Sequence, residues 1–364
     1  MENVSKKDLI AVAMSGGVDS SVAAAILVEQ GYDVVGVTMK LWNAPESGEI
    51  NDKTCCTLDS SMDARRVCDQ LGIPHYTIDM TEDFQERVVE PFYASYMQAK
   101  TPNPCVNCNS FVKWDALWKK VYAIGASYLA TGHYALVERF EDRSYIVRGE
   151  DRNKDQSYFL WGVPPETLAK TLFPVSHLTK PEVREVGRRH KLRNAEKSES
   201  MDICFIPDGD KNKFLKDFAK KKGETFTPGK IVGPEDNVVG EHEGLPFYTI
   251  GQRKGLGVAI GEPAFVKKID RESNTLWLGR KGDLDQKSFR LEQMNWFGEG
   301  FSEDGEECLV QVRYRSRPLK CKVVKSSEEG VYDVLLEDAA FAISVGQSAV
   351  FYEGDRVLGG GIIL

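Results

Sequence analysis

The sequence predicts an α/β fold in its first half and β-rich modules after it, and three observations support this class. Short apolar runs alternate with helical patterns through the first half of the chain, which is typical of a parallel sheet with helices on both faces. From about residue 223 the pattern changes to short strands separated by Gly, Asp and Asn turns. A chain of 364 residues is long enough for two or three domains.

The elements of the first half follow in order. The apolar run "DLIAVAM" (8–14) predicts a strand that ends in a Gly-rich turn, and the Ala-rich helix "DSSVAAAILVEQG" follows it. Further strands are predicted at "DVVGVTM" (33–39), "PHYTIDM" (74–80) and "SYLATGHY" (127–134), and helices near 59–71 and at "FVKWDALWKKVYAIG" (111–125). The stretch "TPNPCVNCNS" (101–110) predicts a loop, because Pro102 and Pro104 interrupt it and no apolar periodicity runs through it.

The second half consists of short strand patterns. They include "GKIVG" (229–233), "HEGLPFYTIGQRKGLG" (242–257), "PAFVKKID" (263–270) and "TLWLGRK" (275–281). Such closely spaced strands predict β-rich modules, one small and one barrel-like.

The composition is that of a soluble globular protein, with 41% hydrophobic and 28% charged residues. The sequence has no apolar run long enough to span a membrane, and its first residues lack the pattern of a secretory signal or transit peptide. We therefore expect a cytoplasmic protein. In that reducing compartment its eight cysteines are not expected to form a disulfide framework. The helical context of Cys68 and the strand context of Cys321 predict simple packing for these two.

The net charge of −8 at first argues against a nucleic-acid partner, but the basic residues are clustered. From Lys180 to Lys222 there are 13 Lys and Arg against 8 Asp and Glu. A second cluster is "RYRSRPLKCK", from Arg313 to Lys322. Local patches rather than total charge determine phosphate affinity. Charge alone leaves two interpretations equally open, solvated faces or a nucleic-acid surface.

The strongest nucleotide signal is "AMSGGVDSS" (13–21), between a predicted strand and a predicted helix. This is where an α/β sheet binds phosphate. Gly16 and Gly17 allow close approach of the backbone, and Ser15, Ser20 and Ser21 supply hydroxyls. No Lys follows in the position that a γ-phosphate loop requires.

This loop resembles that of the ATP pyrophosphatases, which split ATP to AMP and pyrophosphate while adenylating a substrate oxygen. Within that superfamily the chain resembles the tRNA-specific 2-thiouridylases, through seven motifs in the same order: "AMSGGVDSS", "TPNPCVNCN", "ATGHYA", "KDQSYFL", "MDICFI", "TIGQRKGLG" and "VRYR". The resemblance implies a Rossmann-like PP-loop ATP-pyrophosphatase domain at 1–212, a small central β-rich domain at 213–281 and a C-terminal β-barrel at 282–364.

The activity that the resemblance implies is ATP-dependent insertion of sulfur at position 2 of the wobble uridine, in tRNAs of the Lys, Glu and Gln type. It also implies Mg²⁺ and a sulfur-donor protein or desulfurase. The implied ATP-binding residues are Ala13, Met14, Ser15, Gly16, Gly17, Val18, Asp19, Ser20, Met39 and Gly132, with Asp19 helping to bind Mg²⁺. The implied contacts to tRNA and its target base are Asn103, Pro104, Cys105, His133, Lys154, Asp155, Gln156, Tyr314, Arg315 and Gln347. For His133 a supporting role beside the adenylate, and for 154–156 a plain surface turn, remain open.

The resemblance implies two working thiols. Cys108 matches the family's nucleophile, and Cys204 matches the cysteine that carries persulfide sulfur. A thiolate is the reactive form, and we expect the amino terminus of the helix after Cys108 to favour it. A Cys108–Cys204 disulfide would remain after sulfur transfer and would need a reductant.

One residue departs from the family pattern, because Cys105 stands where the best-known members have Asp. Cys105, Cys108 and Cys204 could together hold a [4Fe–4S] cluster with one open iron, which would present hydrosulfide to the adenylated uridine. The persulfide and cluster routes both remain open.

Two other classes of function are considered. One is another ATP pyrophosphatase, such as an amide-forming synthetase, which would need ATP but neither Cys108 nor Cys204. The other is a non-catalytic RNA-binding protein stabilised by zinc, in which Cys55 and Cys56 would complete a ligand set with Cys105 and Cys108.

Overall fold

A computed structural model of the chain describes residues 4–42, 58–140, 143–198, 203–206, 209–298, 302 and 304–364. Cys55 and Cys56 lie outside the described residues. The chain divides into two compact units. Unit 1 comprises 1–89, 105–209 and 355–357, and unit 2 comprises 90–104, 210–354 and 358–364.

Unit 1 is built on a five-stranded parallel sheet of order β3-β2-β1-β4-β7, which confirms the predicted α/β class. The strands of this unit are β1 Leu9–Ala13, β2 Asp33–Lys40, β3 His75–Asp79, β4 Tyr128–Ala130, β5 Ala135–Phe140, β6 Arg143–Arg148 and β7 Thr171–Leu172. The strands β5 and β6 form an antiparallel hairpin outside this sheet.

The helical segments of the described chain are of three types, α, π and 3₁₀. The α-helices are α1 Val18–Glu29, α2 Leu58–Leu71, α3 Thr81–Phe84, α4 Glu90–Met97, α5 Pro104–Asn107, α6 Trp118–Ala123, α7 Pro165–Leu168, α8 Lys180–Arg189 and α9 Lys211–Lys222. The π-helical segments are Gln85–Val89 and Cys108–Leu117, and short 3₁₀ turns lie at Ser157–Phe159, Leu245–Phe247 and Lys281–Leu284.

The core of unit 1 forms around α1, which is buried along most of its length. Its small side chains, from Val22 to Ala25, have no exposed surface. Small residues bring the helix axis close to the sheet, where β1 contributes Ile10 and Val12. Cys68 of α2 is fully buried in the same cluster, which confirms its predicted packing role. This core fixes the start of α1 relative to the end of β1.

The segment predicted as a loop at 101–110 is largely helical, and that prediction was wrong. A continuous helix begins at Pro104 and runs through α5, the π-helical segment and α6. Proline at the first helical position costs no hydrogen bond, because the first amides of a helix have no partner within it. Pro104 therefore starts a helix here instead of interrupting one.

Unit 2 contains two β structures, as the change of pattern near residue 223 predicted. The first is a four-stranded sheet of order β10-β11-β8-β9, formed by β8 Gly229–Val232, β9 Val238–His242, β10 Phe265–Asp270 and β11 Thr275–Gly279. The second is a six-stranded antiparallel barrel of order β12-β15-β14-β13-β16-β17, closed by pairing of β12 with β17. Its strands are β12 Asp285–Trp296, β13 Glu306–Gln311, β14 Leu319–Lys325, β15 Tyr332–Phe341, β16 Ser348–Glu353 and β17 Arg356–Ile363.

The barrel core is lined by alternating apolar residues such as Val310, Val323 and Val334. Cys308 and Cys321 lie directly opposite each other on β13 and β14, with their Sγ atoms 3.6 Å apart. Cys321 is buried, which confirms its predicted packing role, and both are free thiols.

Among the residues described, no helix has both the length and the apolar character that a membrane crossing requires.

Candidate active site

The loop that the sequence singled out joins β1 to α1 at the carboxyl edge of the parallel sheet. Gly17 is the N-cap of α1, and no side chain caps the first turn. The amides of that turn are therefore available to an anion. Gly16 has φ +74, and a Cβ at this position would lie 2.2 Å from the carbonyl oxygen of Ser60. Both the backbone conformation and the close approach of α2 require glycine here.

Hydroxyl groups hold the loop in shape. The Oγ of Ser20 accepts a hydrogen bond from the amide of Ser15 at 3.2 Å, and the hydroxyl of Ser21 donates to the Gly17 carbonyl at 2.9 Å. Asn194 is buried, and its Nδ2 donates to the carbonyl of Gly16 at 3.1 Å and to Ser21 Oγ at 2.8 Å. The contacts of Ser21 and Asn194 engage the carbonyls of Gly17 and Gly16, and the amides in the first turn of α1 have no side-chain cap.

Neighbouring strands bring two further predicted ATP-binding residues to the same edge. Met39 is the penultimate residue of β2, whose Val37 carbonyl accepts from the amide of Met14 at 2.8 Å. Gly132 follows β4, and a Cβ there would lie 2.5 Å from the carbonyl carbon of Asp19 and from the nitrogen of Ser20. The structure thus brings Ala13 to Ser20, Met39 and Gly132 to one edge of the sheet.

Asp19 is the centre of a charged cluster. The Nζ of Lys180 lies 2.7 and 2.9 Å from its two carboxylate oxygens, and the Tyr134 hydroxyl donates to Oδ1 at 2.6 Å. Lys180 is the first residue of α8 and Tyr134 is the last residue of "ATGHY", and both are buried. Lys180 therefore belongs to this cluster. It is also the first residue of the stretch 180–222 that the sequence indicated as a basic patch.

The predicted tRNA-contact turn, 154–156, is partly directed inward. Asp155 is buried, and its carboxylate accepts hydrogen bonds from Arg148 at 3.0 Å, from the Ser157 hydroxyl and from the Gly149 amide. Gln156 is bound to the backbone of Tyr134 on both sides, because its amide donates to the Tyr134 carbonyl and its Oε1 accepts from the Tyr134 amide. Lys154 is partly exposed.

A second network surrounds His133. The Nζ of Lys113 lies 2.9 Å from Asn109 Oδ1 and 3.4 Å from His133 Nε2, and His133 Nδ1 lies 2.7 Å from Thr131 Oγ1. Burial, and then the charge of Lys113, lower the pKa of His133 well below its usual value. A neutral ring that accepts from Lys113 through Nε2 carries its hydrogen on Nδ1 and donates it to Thr131.

The two cysteines of "PCVNC" differ in exposure. Cys105 is exposed, whereas Cys108 is partly buried and lies in the second turn of the helix that begins at Pro104. Burial raises the pKa of the Cys108 thiol, and the charge of Lys113 opposes this. The expected stabilisation of a thiolate by a helix amino terminus was wrong, because the helix begins four residues earlier.

Cys204 lies in a turn closed by a hydrogen bond from the Ile206 amide to the Ile203 carbonyl, and the neighbouring Phe205 packs edge-on against Phe84. None of Cys105, Cys108 and Cys204 forms a disulfide bond in this structure. Within the described part of the chain, no three His, Cys, Asp or Glu side chains are placed to hold a metal ion. The described residues therefore give no support to the cluster site that the sequence raised as a possibility.

In unit 2 the remaining predicted contacts lie on loops. Tyr314 and Arg315 form the turn between β13 and β14, and the Arg315 guanidinium lies 5.8 Å from the centre of the Tyr314 ring. Gln347 donates through Nε2 to the carbonyl of Thr101 at 2.8 Å. It thereby fixes the chain just before Asn103 and Pro104, both of which are described in the same unit.

Many cations of the two basic clusters are engaged by other groups. Arg184 donates to the carbonyls of Ala195 and Lys197, and Arg188 pairs with Glu185 and Glu196. Arg313 donates to the carbonyls of Ile250 and Ala342 and to Ser344 Oγ at 3.0 Å. The cations of the two clusters that are exposed and form no ion pair with another described residue include Lys191, Arg193, Lys220, Lys221, Arg315 and Arg317.

Sequence reasoning missed four residues that contact the predicted site: Lys113, Tyr134, Lys180 and Asn194. Tyr134 lies within a quoted motif, and Lys113 is five residues after Cys108, the spacing of one π-helical turn. Lys180 and Asn194 are more than 150 residues from the loop, so no local pattern connects them to it.

Comparison with known proteins extends these observations to the whole chain. Three family models match, the tRNA methyl transferase HUP domain at 8–208, the tRNA methyl transferase PRC-barrel domain at 212–280 and the aminomethyltransferase β-barrel domain at 286–363. The names of these models refer to methyl transfer, whereas the curated relatives are named for thiolation.

Similar curated proteins include the tRNA-specific 2-thiouridylases MnmA of Carboxydothermus hydrogenoformans, Cytophaga hutchinsonii and Salinibacter ruber. They are 42%, 43% and 44% identical to this chain. The alignments cover 100%, 99% and 99% of this chain and 99%, 98% and 95% of the relatives. The alignments therefore span the phosphate loop, the cysteine-containing segments and both β structures, and the chain belongs to the tRNA-specific 2-thiouridylase family.

Proposed function

We propose that this chain uses ATP to replace the O2 of the wobble uridine of tRNA with sulfur. The observation that carries the proposal is the full-length likeness to tRNA-specific 2-thiouridylases. An amide-forming synthetase or a zinc-stabilised binding protein would not account for a likeness that extends over the whole chain, from the phosphate loop to the β-barrel.

The first step is adenylation of the uridine O2. The uncapped amides at the start of α1 would hold the phosphates of ATP, and the hydroxyls of Ser15 and Ser20 flank them. Adenylation turns a poor leaving group, the carbonyl oxygen, into AMP. Asp19 supplies carboxylate oxygens at the loop, the ligands that Mg²⁺ prefers. Both oxygens contact the Lys180 ammonium in this structure, so Mg²⁺ would replace that contact. Bound there, Mg²⁺ would neutralise phosphate charge.

The second step transfers sulfur, and we assign it to Cys108 and Cys204. The Cys108 thiolate attacks the inner sulfur of a persulfide on Cys204. The persulfide S–S bond breaks, hydrosulfide leaves with the electron pair, and a Cys108–Cys204 disulfide forms. Hydrosulfide then displaces AMP from C2 of the uridine, and a dithiol reductant reopens the disulfide. Lys113 is the cation that favours the Cys108 thiolate against the effect of burial.

We assign recognition of the tRNA to Asn103, Pro104, Cys105, His133, the turn 154–156, Tyr314, Arg315 and Gln347. The exposed cations Lys220, Lys221, Arg315 and Arg317 suit phosphate contacts. We further propose a cytoplasmic location, substrate tRNAs of the Lys, Glu and Gln type, and a sulfur-donor protein or desulfurase that loads Cys204.

Asp19→Ala tests the ATP assignment. We expect loss of ATP-dependent thiolation and of pyrophosphate release, with tRNA affinity retained, because Asp19 lies at the loop. Thiolation is followed by mass spectrometry of the wobble nucleoside, and tRNA binding by filter retention. A variant that loses tRNA affinity but still releases pyrophosphate would overturn the assignment.

Cys105→Ala separates the persulfide route from a [4Fe–4S] route. We expect the variant to stay active in air, with sulfur carried on Cys204 and detected as a mass increase on its peptide. Anaerobic reconstitution is the matched experiment. Uptake of about four irons per chain, with iron and activity both lost in Cys105→Ala, would establish the cluster route instead.

A further inference from the structure

The turn assigned to tRNA and the loop assigned to ATP are joined by two short hydrogen-bonded connections within unit 1. The turn runs from 151 to 156 and contains the three residues assigned to tRNA, 154–156. Both connections end at Asp19 of the loop. Each connection uses one residue that the sequence analysis did not select, Tyr134 in the first and Lys180 in the second.

The first connection runs through Tyr134. Gln156 forms two hydrogen bonds with the Tyr134 backbone. Its amide donates to the Tyr134 carbonyl at 2.9 Å, and its Oε1 accepts from the Tyr134 amide at 3.0 Å. The hydroxyl at the other end of the Tyr134 side chain donates to Asp19 Oδ1 at 2.6 Å. Tyr134 is only 3% exposed, so the ring is enclosed and has little freedom to move independently of its backbone.

The second connection runs through Lys180. Asp151 Oδ2, at the start of the turn, accepts a hydrogen bond from the Lys180 amide at 3.0 Å. The Lys180 Nζ reaches both carboxylate oxygens of Asp19. Asp151 also organises the turn, because its carbonyl accepts from the Lys154 amide and its Oδ1 accepts from the Asn153 amide. Both ends of the turn are thus connected to one carboxylate.

We propose that Tyr134 is a positioning residue that couples binding of tRNA at the 151–156 turn to binding of ATP at Asp19. This inference rests on the proposed function, which assigns the two ligands to the two sites. A tRNA that fixes the turn fixes the Tyr134 backbone, and the Tyr134 hydroxyl then holds Asp19 in one orientation. ATP that arrives afterwards loses less conformational entropy on binding, so each ligand strengthens the binding of the other.

Such coupling would suit the chemistry, because ATP bound tightly without tRNA could react with water. Gly132 makes the connection stiff, because its backbone lies against Asp19 and Ser20 with no room for a Cβ. Tyr134, Lys180 and the close contact of Gly132 restrict the orientation of the Asp19 carboxylate. Since Tyr134 and Lys180 are also hydrogen-bonded to the turn, a change in this orientation would require the turn to move.

The test compares two affinities of one protein. The probe is α,β-methylene-ATP, which cannot be cleaved to AMP, and the partner is an unmodified tRNA transcript with uridine at the wobble position. Calorimetry gives the dissociation constant of the analogue without and with saturating transcript. For the wild-type protein we expect a ratio within the usual allosteric range, roughly 5- to 150-fold. Tyr134→Phe, which removes only the hydroxyl, should reduce the ratio to below about twofold.

The ratio cancels any change in intrinsic affinity for the analogue. Tyr145→Phe is the matched control, because Tyr145 is also a buried tyrosine of unit 1 and lies on β6. It should keep the wild-type ratio. An equal ratio in wild type and Tyr134→Phe, or a wild-type ratio of one, overturns the inference.

A second measurement needs no variant. Because the proposed coupling acts through restricted motion, the analogue alone should slow hydrogen exchange of the amides in the 151–156 turn of the wild-type protein. Unchanged exchange there overturns the inference even if Tyr134→Phe fails to fold. If the wild-type protein binds neither the analogue nor the transcript, the proposed function itself fails. If it binds both without coupling, the inference alone fails.

Discussion

Arg313 and Arg315 are two residues apart in one basic cluster, yet their environments differ. Arg313 is partly buried, and its guanidinium donates to two backbone carbonyls and a hydroxyl within unit 2. Arg315 is exposed in the turn between β13 and β14. Sequence can predict a cluster of cations, but it cannot distinguish the residue that binds backbone from the residue that stays exposed.

This difference predicts opposite phenotypes. Arg313→Ala should lower the free energy of unfolding by about 2–4 kcal/mol, because it removes charge-assisted hydrogen bonds to two backbone carbonyls and a hydroxyl at a partly buried position. Arg315→Ala should change stability by less than about 0.5 kcal/mol and weaken tRNA binding. Urea unfolding and filter binding measure the two effects. Equal losses of stability in both variants would contradict the assignment.

Lys211 predicts a pH dependence of stability. Burial lowers its pKa from the usual 10.5 to about 8, while its ammonium donates to the Phe247 carbonyl at 3.1 Å. Below pH 8 both the folded and the unfolded states are protonated, and the burial of the charge costs the fold about 3 kcal/mol. Between pH 8 and 10.5 the unfolded state binds more protons, so the stability contributed by this residue rises with pH.

Lys211→Met removes this titration. The difference in free energy of unfolding, wild type minus variant, should be constant below pH 7 and should shift in favour of the wild type from pH 8 to 10.5. Urea midpoints of both proteins at several pH values measure it, and other titrating groups cancel in the difference. A difference that does not change with pH would show that Lys211 titrates normally.

The residues of the phosphate loop could be selected from sequence, whereas those that hold it could not. The pattern S-G-G-x-D-S between a strand and a helix is local, and the structure places it at the expected edge of the sheet. Lys180 and Asn194 reach the loop only through the tertiary fold, and nothing in their neighbouring sequence indicates a partner. Long-range contacts of this kind lie outside what a local pattern encodes.

At the level of elements, the alternation of strands and helices was predicted well because each element has its own periodicity. The helix at Pro104 was missed because two prolines and two cysteines give no apolar period, and the proline is compatible with a helix only at its first turn. The π-helical segment that follows depends on packing of Val112, Trp114 and Leu117, all of which are fully buried. The sequence alone does not distinguish this segment from an ordinary α-helix.

Gly132, which follows β4, lies against the backbone of the phosphate loop, and this close contact predicts the effect of Gly132→Ala. A methyl group would overlap the backbone of Asp19 and Ser20, so the loop must move. We expect kcat/KM for ATP to fall by about 10-fold or more, with tRNA affinity unchanged. Gly282→Ala is the control, because its Cβ would meet nothing within 4 Å. Normal ATP kinetics in Gly132→Ala would show that the loop tolerates displacement.

At the scale of the whole molecule, the predicted order along the chain, a parallel sheet followed by two β structures, is confirmed. The domain boundaries at 212 and 281 remain a prediction. Sequence could establish this organisation because the change from helical to strand patterns is abrupt near residue 223. The distribution of charge was harder to interpret, because ion pairs within the fold engage many cations of the basic stretches.

The acidic net charge and the few unpaired cations predict how tRNA binding responds to salt. If exposed cations of the two basic clusters, such as Lys220, Lys221, Arg315 and Arg317, contact phosphates and overcome the overall repulsion, affinity should fall steeply with ionic strength. With a handful of phosphate contacts we expect a loss of roughly 10- to 100-fold between 50 and 200 mM salt. Charge reversal at Arg315 should reduce the slope of log affinity against log salt. Salt-independent binding would contradict a phosphate-contacting surface.

The facing thiols of the barrel affect how the sulfur chemistry can be assayed. Cys308 and Cys321 lie 3.6 Å apart on paired strands, so mild oxidation of the purified protein can consume two thiols without any turnover. A titration of free thiols, or a mobility shift on a non-reducing gel, would then report a bond in the barrel as if it joined Cys108 to Cys204. A Cys308→Ser background, or peptide mapping that identifies both partners, is needed before loss of two thiols can be assigned to catalysis.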